Sequence, residues 1–132
     1  MRLYRLIGWL QGAYFLVTGL WPLISIETFQ LVTGRKTDHL VTGRESDHWL
    51  VNTVGVLVIS IGATLVIAAY RNRFSPEIVF LGVTAALGLI GIDLFYVARG
   101  TIPTVYVVDA VLEVTIVTAW LVCTWRHSRA VK

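Results

Sequence analysis

Three carboxylates stand where the chain offers no other charge: Asp93, Asp109 and Glu113. Each lies inside a long apolar segment without Lys or Arg. Asp109 and Glu113 are four residues apart, so on a helix they stack on one face. An Asp at the centre of a membrane-spanning helix costs roughly 2.5–3.5 kcal/mol on insertion scales, and such groups face a bundle interior or a watery cavity. Asp93 lies near the end of its segment and Asp109 near the start of the next, each about 7 Å deep, with Glu113 about 13 Å deep. Asn52, near the start of another segment, and Tyr96, three residues beyond Asp93, are the neutral groups placed to join them. Carboxyls in a low dielectric resist ionisation, and close pairs share protons. That chemistry suits proton exchange, a cation, or a hydrogen bond to a polar lipid or quinone head. The structural alternative is interhelical hydrogen bonding, worth about 0.6 kcal/mol on average in a membrane. Gln11, in the first apolar segment, is expected to serve in that way.

The elements that would position these groups follow from composition. The chain of 132 residues is 56% hydrophobic and 14% charged, where soluble domains carry about 25% charge. Four apolar blocks alternate with short polar ones: 6–26, 49–70, 78–98 and 105–125. Each matches the roughly 20 residues a helix needs to cross about 30 Å of hydrocarbon. Lipid gives the backbone no partners, so blocks this continuous are helices. The expected fold is an all-α integral membrane bundle of four spans, one domain over 1–132. The first block begins after Arg2 and Arg5, but it is too long for a signal core and lacks a small-x-small site, so it reads as a retained span. The lone Cys123 excludes an intramolecular disulfide and reads as a small buried hydrophobe.

Basic residues set the orientation. Arg2, Arg5, Arg71, Arg73, Arg126, Arg129 and Lys132 fall on one side; Arg35, Lys36, Arg44 and Arg99 fall on the other. Both termini are therefore expected in the cytoplasm, with 27–48 as an outer loop and a bacterial inner membrane as the setting. Ser75-Pro76-Glu77 reads as a helix start and Gly100 as a helix stop. The short links at 71–77 and 99–104 make the second, third and fourth spans antiparallel neighbours. Trp21, Trp49, Tyr70, Tyr106 and Trp125 sit near span ends, as interfacial aromatics do. Small residues suggest close packing at Gly8 and Gly12, at Ser60, Thr64 and Ala68, and at Gly82 and Ala86. Gly8 and Gly12 also offer a route to oligomers.

The outer loop holds a tandem duplication: LVTGRKTDH at 31–39 and LVTGRESDH at 40–48. Two Asp-His pairs, Asp38-His39 and Asp47-His48, have ligand chemistry but not the usual metal-site spacing. The Thr-Gly-Arg turns, Thr33-Gly34-Arg35 and Thr42-Gly43-Arg44, have the charge to meet lipid phosphates. Nine residues at 100° each carry the second copy to the opposite helix face, and each copy contains a Gly, so no continuous amphipathic helix is expected. One copy is expected to lead into the second span with Ser46 or Asp47 as cap, and the other to be looped out. Lengthening a surface loop costs only about 0.6 kcal/mol per doubling.

QGAYFLVTGLWPL, SDHWLVNTVG and IGIDLFYVARGTIPTVYVVDAVLE resemble small bacterial four-span membrane proteins and are similar in layout to the DoxX-like group. The resemblance covers nearly all of the chain except one copy of the repeat. It implies a four-helix membrane bundle and brings no activity or site residues with it. The chain has no HExxH, GxSxG, P-loop or Gly-rich dinucleotide turn. Composition needs no nucleic-acid partner, and no metal or cofactor is expected. The expected function is non-enzymatic: binding of a polar or cationic ligand, a lipid head group or a proton at Glu113, Asp109, Asp93, Asn52 and Tyr96. The alternatives are a membrane-embedded enzyme acting on a lipid or quinone, and an assembly subunit docking through Gly8 and Gly12.

Overall fold

A computed structural model describes residues 2–33 and 45–130. The described chain is all-helical: α1 (Arg2–Ile24), α2 (Ile26–Thr33), α3 (Glu45–Arg71), α4 (Pro76–Ala98) and α5 (Val105–Ala130). Four of these, all but α2, are long and apolar enough to cross a membrane. The apolar blocks thus become the expected spans. α1 starts earlier than its apolar block because Tyr4 is buried in the core. α5 runs on to Ala130, with His127 and Arg129 in its last turn, where cations complement the helix dipole.

Ile26, expected as the end of the first span, and residues 27–33, expected as loop, form α2. α1 ends at Ile24, two residues past Pro22, and Ser25 starts the new helix: its carbonyl accepts from the Phe29 N–H at 3.1 Å and its Oγ from the Thr28 N–H at 3.4 Å. Trp21 secures the corner, donating from Nε1 to Thr28 Oγ1 at 3.1 Å and meeting Phe29 edge-on at 5.8 Å. α3 begins at Glu45, so Ser46 and Asp47 lie within its first turn instead of capping it from ahead. The rest of the duplication, 34–44, lies outside the described residues, and with it the question of which copy is looped out.

The helix stops have distinct chemistry. Gly100 takes φ +65, with Gly100 N–H to Val97 O at 2.9 Å and Thr101 N–H to Tyr96 O at 2.9 Å. That is a Schellman motif. Asn72, at φ 51, closes α3 in the same way through Ala69 and Ala68 carbonyls. Gly100→Ala should cost about 1–2 kcal/mol, the penalty of the left-handed region for an L side chain, read by unfolding in mixed detergent micelles. At Ser75 the expected start of α4 holds with Pro76 in the first turn, but the Ser75 side chain makes no capping bond. Its carbonyl accepts from the Ile78 and Val79 N–H groups instead.

The bundle is two tight pairs. α1 packs most extensively on α3, and α4 on α5; the contacts of α1 with α5 and of α3 with α4 are sparse. The short link 71–77 therefore joins neighbours that scarcely pack. Glycine explains the first pair. A Cβ on Gly12 would lie 2.9 Å from Gly62 O, and one on Gly19 2.7 Å from Gly55 O. The backbones touch at two levels seven residues apart on each helix, the spacing of a left-handed antiparallel seam. Of the small residues expected to pack in the second span, Ala68 is buried, but Ser60 is exposed, and the hydroxyls of Ser60 and Thr64 bond their own helix at 2.9 and 2.8 Å. Gly8 and Gly12 are buried against Phe74, Ala69, Val66 and Gly62, so an oligomer through them would have to displace α3.

Tyr4, Phe74 and Trp120 pack together with ring centroids 5.8–5.9 Å apart, and His127 meets Tyr4 edge-on at 6.0 Å. The start of α1, the α3–α4 link and the end of α5 thus share one end of the bundle, the end that carries the basic termini. Cys123 is buried beside this cluster with Ile7 and Leu65, as a small hydrophobe would be.

Candidate functional site

α4 and α5 each turn one narrow stripe inward. On α4 it is Gly82, Ala86 and Asp93; on α5 it is Ala110, Glu113, Val117 and Trp120. The spacings of three, four and seven residues keep each stripe on one face. The stripes carry polar groups at two depths, and the two depths behave in opposite ways.

At the deeper level, toward the basic end, Gln11 is fully buried and both its polar atoms are partnered. Its Nε2 donates to Gly82 O at 2.8 Å, and its Oε1 accepts from Trp120 Nε1 at 2.8 Å. One amide ties α1 to both α4 and α5. Gly82 makes room, since a Cβ there would sit 3.0 Å from Gln11 Oε1. The expected interhelical role of Gln11 holds, and Trp120 is the partner that sequence reasoning missed. Gln11→Leu strands the buried Trp120 N–H. It should cost about 1–2 kcal/mol, near the upper range for interhelical bonds in membranes, measured by unfolding in mixed micelles.

About 10 Å further along α5 lies Glu113. Its residue exposure is 0%, and among the described residues neither carboxyl oxygen has a hydrogen-bond partner. Asp93, 6% exposed, has its Oδ2 buried and unpartnered, and so is Oδ1 of Asn52. Asp109 is half-buried, one turn above Glu113 toward the far end. Along the helix axes Asp93 and Asp109 sit at the same height, about 16 Å from the Gln11 level. Asn52 joins that height, because Gly55 on α3 faces Gly19 on α1. Nothing on α1 supplies a donor: Thr18, at about the height of Glu113, gives its hydroxyl to Tyr14 O at 2.9 Å.

All five expected site residues therefore lie in the half of the bundle away from the basic end, and four of them are buried or half-buried there. Tyr96 does not join them. It is 41% exposed and packs edge-on to Phe95 at 5.2 Å. The buried stripe of α4 runs through Gly82, Ala86 and Asp93 and does not extend to Tyr96.

Buried unpartnered polar atoms are rare in folded proteins, and each costs about 1–3 kcal/mol. Here four such oxygens, on Glu113, Asp93 and Asn52, fall in one half of one small bundle. Chemically the unpartnered atoms are all oxygens: the set can take a proton, a cation or a hydrogen-bonding head group. Among the described residues no three His, Cys, Asp or Glu side chains are grouped to hold a metal ion. His39 and Asp38 lie outside the described residues. Two grooves run along the outward side of α5 toward the basic end, and neither is lined by the acids.

No family model matches the chain, and neither a curated protein nor a solved structure does so. The identity that the observations support is a small, multi-pass, four-span helical membrane protein.

Proposed function

We propose that the chain is a non-enzymatic membrane protein that takes a polar or cationic ligand, a lipid head group or a proton at Glu113, Asp93, Asp109 and Asn52. The observation that carries this reading is Glu113: a carboxyl wholly inside the bundle with neither oxygen partnered. Such a group destabilises the fold unless something from outside supplies the missing donor. Asp109, half-buried above it, gives the approach from the end opposite the aromatic cluster. A bacterial inner membrane, basic end inward, is the setting we assign, in keeping with the DoxX-like layout. The assembly reading loses its main support, because Gly8 and Gly12 are filled by α3 and Phe74.

The test is the thermal melt of the protein and of Glu113→Gln in one mild detergent, with methylammonium, tetramethylammonium or sodium chloride at matched ionic strength. A ligand at 100 times its Kd stabilises by about 2.7 kcal/mol. At least one of the donor-bearing or compact cations should raise the melt of the parent and leave Glu113→Gln unmoved. Equal shifts in both proteins, or none in either, would remove the cation form of the reading.

A further inference from the structure

The second of the two grooves on α5 has a different character from the acid site. It holds about 490 Å³ and is lined by Leu3 of α1 and by Val114, Thr115, Thr118, Ala119, Val122, Cys123 and Arg126 of α5. It lies where α1 and α5 scarcely touch, at the seam between the two tight pairs. We propose that this groove binds one anionic phospholipid, an acyl chain lying along it and the phosphate at Arg126.

Four observations carry the assignment. First, the groove is apolar despite its two threonines. Thr115 Oγ1 bonds Val111 O at 2.9 Å and Thr118 Oγ1 bonds Val114 O at 2.8 Å, so both hydroxyls are spent on the helix. Second, the length fits one leaflet. Val114 to Arg126 spans about 18 Å of helix, against about 15 Å for half of a 30 Å hydrocarbon core. Third, the groove opens to lipid: Leu3, Val114 and Val122 are all about half exposed. Fourth, the charge is at the correct end. Arg126 lines the groove where α5 leaves the apolar zone, with Arg2 and Arg5 on the adjoining first turns of α1. Arg129 is turned elsewhere, its guanidinium 3.9 Å from the Trp125 ring centroid. A guanidinium binds phosphate through paired N–H donors, and basic pockets between spans on the cytoplasmic side select anionic head groups.

The experiment is native mass spectrometry of the detergent-solubilised protein with phosphatidylglycerol or phosphatidylcholine of identical acyl chains. The parent should hold one phosphatidylglycerol several-fold more tightly than phosphatidylcholine. Arg126→Gln should weaken phosphatidylglycerol about fivefold, the effect of one basic residue at a membrane surface, and leave phosphatidylcholine unchanged. Thr118→Phe, which fills the groove from an exposed position, should weaken both lipids. Arg126→Lys should keep more of the preference than Arg126→Gln does. Equal binding of the two lipids by the parent overturns the proposal. So does a preference that survives Arg126→Gln, or phosphatidylglycerol binding untouched by Thr118→Phe.

Discussion

Gly62→Ala should destabilise the protein by about 1–3 kcal/mol, toward the upper end of what overpacking costs, while Gly88→Ala should stabilise it by about 0.5–1 kcal/mol. Both replace a helical glycine by the same methyl group. At Gly62 that methyl would lie 2.8 Å from Gly12 O and 3.0 Å from Leu16 N, on backbone that no rotamer change can move aside. α1 and α3 would have to separate, and theirs is the most extensive contact in the bundle. At Gly88 nothing lies within 4 Å, so only the gain in helix propensity remains. Gly19→Ala should follow Gly62→Ala, since its methyl would meet Gly55 O at 2.7 Å. Unfolding of the three variants beside the parent in mixed micelles reads the signs directly. If Gly62→Ala and Gly88→Ala move together, the α1–α3 seam is not the close backbone contact described above.

The spans were legible because lipid leaves a long apolar block one backbone solution, and the stop at Gly100 because few residues tolerate its φ of +65. The pairing of α1 with α3 was not read from the glycines, although Gly12 and Gly19, and Gly55 and Gly62, stand at seven-residue spacing. Four-residue spacing of small residues singles out Gly8 with Gly12, and Ser60 and Thr64 with Ala68. A hydroxyl in lipid can satisfy itself on its own helix, so it need not mark an interface. α2 was hidden because 26–33 is too short to span and too polar to read as core; its start depends on the single turn at Ser25. At the site, the inward placement of Glu113 and Asp93 followed from ionisable groups avoiding lipid. Tyr96 failed the same reading because its ring, unlike a carboxylate, loses nothing at the lipid face. Gln11 was legible as a tie, but its partner Trp120 is 109 residues away, and no local pattern announces such a contact.

Glu113 remains the group on which the functional reading depends, and its removal should help the fold. Glu113→Leu replaces two unpartnered, fully buried oxygens by apolar atoms of similar bulk. No donor is stranded by the change, because Glu113 makes no hydrogen bond among the described residues. The penalty of about 1–3 kcal/mol for a buried unsatisfied polar group is relieved. Gln11→Leu offers the contrast: a comparable change that breaks two bonds at 2.8 Å and should cost stability. The decisive measurement is the unfolding free energy of Glu113→Leu beside the parent, in one mixed-micelle system with no ligand added. A variant about 1–3 kcal/mol more stable is expected of a carboxyl kept for binding at the expense of the fold. A variant clearly less stable than the parent would contradict this, and would make Glu113 a structural hydrogen-bonding group.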